Sequence, residues 1–128
     1  MEPRTFLRLE GLTVLALALW GYFLLDGPLW LLAVLALAPD LAMLGYLAGP
    51  QVGSLSYNVA HTYVLPAALG AAGFWLGVPI AMLIALVWAG HIGADRFVGY
   101  GLKYESGFKN THLSTQPVPV EAFTEVDE

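Results

Sequence analysis

Cysteine is absent from this chain. That excludes a disulfide framework, a thiolate metal site and a cysteine nucleophile, so any metal must be held by histidine and carboxylate side chains. Charge is scarce too: only 12% of the 128 residues are Asp, Glu, Lys or Arg, against 58% hydrophobic, and the mean hydropathy is +0.68. Soluble domains carry about twice that charged fraction, so water is not the main solvent of this chain. The formal charge of −5 gathers at Glu121, Glu125, Asp127 and Glu128, which makes it a property of the C-terminal tail and not of a binding surface. No nucleic acid partner is expected. The first apolar stretch lacks an A-x-A-like cleavage site before Asp26-Gly27-Pro28 and contains Glu10, so it reads as a retained helix and not as a signal peptide.

What is present is long apolar runs. A bilayer core about 30 Å thick needs roughly 20 helical residues, and four stretches qualify: about 5–25, 29–49, 54–77 and 79–100. Short breakers at Asp26-Gly27-Pro28, Gly49-Pro50-Gln51-Val52-Gly53 and Gly77-Val78-Pro79 leave room only for reversal. The expected fold is therefore an all-α membrane protein, a four-transmembrane-helix up-down bundle. The basic residues Arg4, Arg8, Arg96, Lys103 and Lys109 lie at the two ends of the chain, which by the positive-inside rule places both termini in the cytoplasm. Residues 1–113 form the domain, with 101–113 as a cytoplasmic lid; 114–128 read as a disordered acidic tail. Trp20, Tyr22, Trp30 and Trp75 fit an outer interfacial belt. Pro39 and Pro66 fall inside helices two and three, each freeing a carbonyl near Leu35 and Thr62. Gly45-xxx-Gly49-xxx-Gly53 and Gly73-xxx-Gly77 have the spacing of close helix packing, consistent with a homodimer as well as with packing inside one chain.

With that orientation, the ionisable residues within the helices all fall in the cytoplasmic half: Glu10, Asp40, His61, His91 and Asp95. Burying an Asp in lipid costs at least about 2.5–3.5 kcal/mol, so the layer needs partners or a function. His91 and Asp95 stand at i, i+4, the spacing that presents two ligands to one centre. Ser54, Asn58 and His61 make a polar stripe on helix three, with Tyr57 on an adjoining face. Beyond helix four, Arg96, Tyr100, Lys103, Tyr104, Thr111 and His112 form a polar, aromatic and basic segment able to fold back over the site.

The chain has three histidines, each on a different segment. The expected site is a divalent metal, zinc foremost, on His61, His91, His112 and Asp95, with Asp40 as base for a bound water and Asp95 also catalytic. Glu10, Tyr57, Asn58, Arg96, Tyr100 and Lys103 are expected around it or against substrate. The substrate would be a lipid or membrane-associated ester, amide or phosphate entering from the inner leaflet. Arg96, Lys103 and Lys109 suit an anionic head group, although interfacial anchoring and orientation account for them better. Two other readings stand beside the hydrolase: a non-catalytic binder or transporter of a metal, proton or lipid, and a structural membrane protein whose polar layer is a hydrogen-bonded network.

The run from His91 to Leu113, with Asp95, Arg96, Tyr100, Lys103, Thr111 and His112 at its polar positions, resembles an uncharacterised family of small four-helix bacterial membrane proteins. So do Pro39-Asp40-Leu41-Ala42-Met43-Leu44-Gly45-Tyr46 and Tyr57-Asn58-Val59-Ala60-His61-Thr62-Tyr63. The resemblance implies a fold and a bacterial inner membrane, not an activity. A fainter one, through His91/Asp95 and Thr111-His112, is to membrane-bound metal-dependent hydrolases. Alkaline ceramidase-like enzymes are similar in using three His and an Asp. They differ in having seven helices and a second His where this chain has Asp95.

Overall fold

The computed structural model describes residues 2–103, 111 and 113. All of its regular elements are helical: α1 Pro3–Leu24, α2 Leu29–Leu37, a 3-10 helix Ala38–Ala48, α3 Pro50–Ala60, α4 Val64–Leu76 and α5 Pro79–Val98. These join into four spans long and apolar enough to cross a bilayer: Pro3–Leu24, Leu29–Ala48, Pro50–Leu76 and Pro79–Val98. Pro stands in the first turn of α1, α3 and α5, where its missing N–H is no loss. Gly77 and Gly99 close α4 and α5 in the left-handed conformation, at φ 68° and φ 100°.

Spans two and three are each interrupted where an internal proline disturbs the ladder. In span two the α-helix gives way at Ala38-Pro39 to a 3-10 helix. A 3-10 run of this length is uncommon, since its hydrogen bonds are less well aligned. In span three the helix stops at Ala60 and resumes at Val64, so His61 becomes the C-terminal cap of α3. Pro66, early in α4, cannot donate to the carbonyl of Thr62, and the chain turns through residues 61–63. The freed carbonyl of His61 is taken by the buried Arg96, whose Nη2 donates to it at 3.0 Å. A cation at a helix C-terminus also faces the negative end of the helix dipole.

α5 is the central element, packing against α1, α2 and α4, while α3 packs on the 3-10 helix. The α1–α5 crossing is tight because of Gly11 and Gly93: a Cβ on Gly11 would lie 2.6 Å from the carbonyl oxygen of Gly93. This pair was not anticipated from the sequence, where the two glycines are far apart and show no local spacing pattern. Of the glycines that did show one, three are packed within the chain, while Gly49 and Gly77 have open space at the Cβ position. Gly45 makes room for the Ser56 hydroxyl, Gly53 for the Tyr46 ring and Gly73 for Ala81 and Met82, while Gly49 serves a turn at φ 110°. Close packing inside one copy thus uses Gly45, Gly53 and Gly73.

Most large apolar side chains face outward, as a lipid-embedded surface requires. Trp20, Trp30 and Trp75 are exposed in keeping with a belt, but Tyr22 is not. It is fully buried with Leu83 and Val87 and donates its hydroxyl to the Pro28 carbonyl at 2.6 Å. The correction has a simple cause: a tyrosine beside a turn can satisfy its hydroxyl internally and add its ring to the core.

Candidate metal centre

The two interruptions carry the site. Asp40 lies in the 3-10 helix, His61 caps α3, and His91 and Asp95 stand one turn apart on α5. The His61 Nε2 is 3.0 Å from Asp40 Oδ1, 3.3 Å from His91 Nε2 and 3.6 Å from Asp95 Oδ2. His91 Nε2 is 3.1 Å from Asp40 Oδ1 and 3.4 Å from Asp95 Oδ2. One ligand atom from each of the four residues lies within 4.8 Å of all the others.

The outer nitrogens of the two imidazoles fix what the inner ones offer. His61 Nδ1 donates to the Tyr57 carbonyl at 2.8 Å, and His91 Nδ1 donates to the Ala36 carbonyl. A carbonyl only accepts, so each neutral ring carries its proton on Nδ1 and turns a bare lone pair inward on Nε2. Backbone carbonyls that orient metal-bound histidines do the same. The centre thus gathers two imidazole lone pairs and two carboxylate oxygens, four acceptors without a donor among them. Such a set is stable only around a cation, either a metal ion or a proton shared between the groups.

Its dimensions fit the metal. Ligands about 2.0–2.1 Å from a tetrahedral centre are separated by edges of about 3.3–3.4 Å. Five of the six edges here measure 3.0–3.6 Å. The sixth, between the two carboxylates, is within 4.8 Å. Two carboxylates and a divalent ion also sum to zero charge, which suits a medium where an uncompensated charge is costly.

Accessibility is uneven. The side chain of His61 is 1% exposed and that of Asp40 35%, so the centre opens on the Asp40 side. Behind His61 the Tyr57 ring stacks at a centroid distance of 3.7 Å, and the Lys103 ammonium sits over the other face of the system, 4.4 Å from the Tyr57 centroid. Lys103 is held there by its backbone: its N–H donates to Asn58 Oδ1 at 2.6 Å and its carbonyl accepts from Asn58 Nδ2 at 2.8 Å. Thr111 pairs with Lys103 in an antiparallel bridge, and Thr111 and Leu113 are buried. Burial pushes the Lys103 ammonium below its usual range, while Asp95 and Asp40 pull it back up.

The structure therefore brings together Asp40, His61, His91 and Asp95 and surrounds His61 with Tyr57, Asn58, Lys103 and Arg96. Asp40 takes a place in the ligand cluster itself, where the sequence had placed a base for bound water. Glu10 lies exposed on α1 and is not in the cluster. Asn58 is engaged with Lys103, and Arg8 donates to the Phe97 carbonyl at 2.8 Å. Tyr100 is exposed. Arg96 and Lys103, read as head-group or interfacial residues, are buried, the first on the His61 carbonyl and the second over Tyr57. His112, Lys109, most of the lid and residues 114–128 lie outside the described residues. The backbone acceptors at Tyr57 and Ala36 were not read from the sequence, and only the i, i−4 relation of Tyr57 to His61 could have signalled one of them.

No curated protein and no solved structure matches the chain. The family model described as a domain of unknown function (DUF4260) matches residues 4–115, nearly the whole chain and every residue of the cluster. The chain belongs to that family.

Proposed function

We propose that this is a polytopic protein of the bacterial inner membrane, an up-down bundle with both termini cytoplasmic, which holds a divalent metal, zinc foremost, on Asp40, His61, His91 and Asp95 and hydrolyses a lipid or membrane-associated substrate. The observation that carries the reading is the convergence of four acceptor atoms at tetrahedral spacing with both imidazoles oriented by backbone carbonyls. A divalent ion held there would supply a water acidified toward neutrality and polarise an ester or amide carbonyl once one carboxylate swings off it or its coordination expands to five, since four protein ligands alone leave no open position. The protein's own part is to orient the imidazoles through Tyr57 and Ala36, to close one side with Tyr57 and Lys103, and to leave the Asp40 side open. In the reaction, water gives its oxygen to the acyl carbon and the acyl C–O or C–N bond breaks. The departing oxygen or nitrogen takes up a proton.

Metal analysis by mass spectrometry on protein purified without a polyhistidine tag tests the centre. About one equivalent in wild type, lost in His61→Ala and in His91→Ala, is expected. A folded wild type that takes up no zinc or manganese would overturn the proposal. The second reading, a His–Asp network holding a proton, is favoured by the same ion-pair distances of 3.0–3.6 Å. It predicts a metal-free protein whose stability, unlike its metal content, depends on those four residues.

A further inference from the structure

An apolar cavity of about 300 Å³ lies between the same three segments that build the cluster, with Leu35, Pro39, Ala42, Ala60, Ile84 and Trp88 in its wall. Pro39 and Ala60 immediately precede Asp40 and His61 in the chain. On α5, Ile84, Trp88, His91 and Asp95 follow one another at i, i+4, i+7 and i+11, a single stripe of the helix, so cavity and cluster lie in line on one face. The Trp88 indole is fixed across the cavity wall by donating to the Ala60 carbonyl at 2.6 Å. From Ile84 to His91 the helix rises about 10 Å, which matches an acyl segment of about eight carbons at ~1.25 Å each when extended. The volume is at the lower end of the range for small-molecule sites.

We infer that this cavity holds the acyl chain of a membrane lipid, with the chain's ester or amide carbonyl presented to the cluster from the Asp40 side. The placement of the carbonyl rests on the metal-hydrolase reading; the chain site is read by an independent signal. The order of the surfaces is that of a lipid: a polar end able to hold an ion, in line on one helical face with an apolar slot that runs toward the middle of the span. A water-soluble ester would gain nothing from a slot walled by Leu35, Ile84 and Trp88, since such a site rewards buried apolar area.

The test is photolabelling in phosphatidylcholine nanodiscs with decanoic acid carrying a mid-chain diazirine, adducts being mapped by mass spectrometry alongside metal content. A second apolar cavity, lined by Leu24, Pro66, Met82 and Ala89 among others and by none of the four cluster residues, is the internal control. Adducts at Leu35, Ile84 and Trp88 are expected to exceed those of the control by about fivefold or more, equivalent to about 1 kcal/mol of preference. Ala42→Phe and, as a second variant, Ile84→Trp should remove that excess while metal content stays at the wild-type value. Equal labelling of both cavities, or an excess that survives both variants, with metal bound, would overturn the acyl site and leave the metal centre standing. Selective labelling sensitive to Ala42→Phe in a protein that binds no metal would support the acyl site and overturn the placement of the carbonyl at a metal.

Discussion

Zinc added to metal-stripped protein should enter a site of two imidazoles and two carboxylates, and the geometry sets the distance to be found. Five of the six edges measure 3.0–3.6 Å, and with the Asp40–Asp95 edge, within 4.8 Å, drawn in to match, the centre lies about 2.0 Å from each corner, the Zn–N and Zn–O distance of protein sites. The structure needs to move little to accept the ion. X-ray absorption should therefore show a first shell of four N/O atoms at about 2.0–2.1 Å and the outer-shell pattern of two imidazoles, without sulfur, since the chain has no Cys. Binding to the folded state alone also adds stability of RT ln(1 + [L]/Kd), about 2.7 kcal/mol at a hundredfold excess over Kd. Thermal unfolding in nanodiscs, with and without zinc, should register that increment in wild type and none in His91→Ala. A shell of six oxygens, an imidazole count of zero, or an equal zinc shift in His91→Ala would refute the reasoning, because each would place the ion elsewhere.

Tyr57→Phe should keep metal content, since stacking on His61 needs only the ring, whereas Tyr57→Ala should weaken zinc binding by about 10–100-fold in competition with a chelator, the usual cost of losing support behind a ligand. Asn58→Ala removes both hydrogen bonds to the Lys103 backbone, and should destabilise by about 1–3 kcal/mol and raise hydrogen exchange at residues 101–103. Gly11→Leu forces apart the α1–α5 crossing and should lower stability by about 1–3 kcal/mol or more, read from the melting temperature, with Gly21→Ala, whose nearest neighbour is 3.5 Å away, close to neutral. Because the chain has no Cys, single-cysteine variants report topology without background: Leu25→Cys should react with an impermeant maleimide from outside the cell and Gln51→Cys only after the membrane is opened, the reverse pattern refuting the orientation.

Four spans were legible in the sequence because length and apolarity are local properties, and their breakers are local too. The i, i+4 pair His91 and Asp95 was legible for the same reason: one helix fixes their relation whatever packs beside it. Pro39 and Pro66 announced that the ladder would be disturbed, but not that span two would tighten into a 3-10 helix or that His61 would become a cap. Which residues meet across helices could not be read, since it depends on crossing geometry. Glu10 lies exposed on α1 and outside the four-residue cluster. Asp40, read as a base for a bound water, lies within 3.0–3.1 Å of both imidazoles. Gly11 and Gly93 set the closest crossing without any pattern to mark them.

The sequence by itself determined the number of apolar spans and the chemical types available to a site: nitrogen and oxygen ligands, never a thiolate. Those follow from composition and from spacing within single helices, where each residue's position is fixed by its neighbours in the chain. Tertiary structure alone decided that two interrupted helices and one continuous one deliver Asp40, His61, His91 and Asp95 to one point. It also decided that the carbonyls of Tyr57 and Ala36 turn both imidazole lone pairs inward. Lone-pair direction is set by the partner on the far side of each ring, and that partner is supplied by the fold.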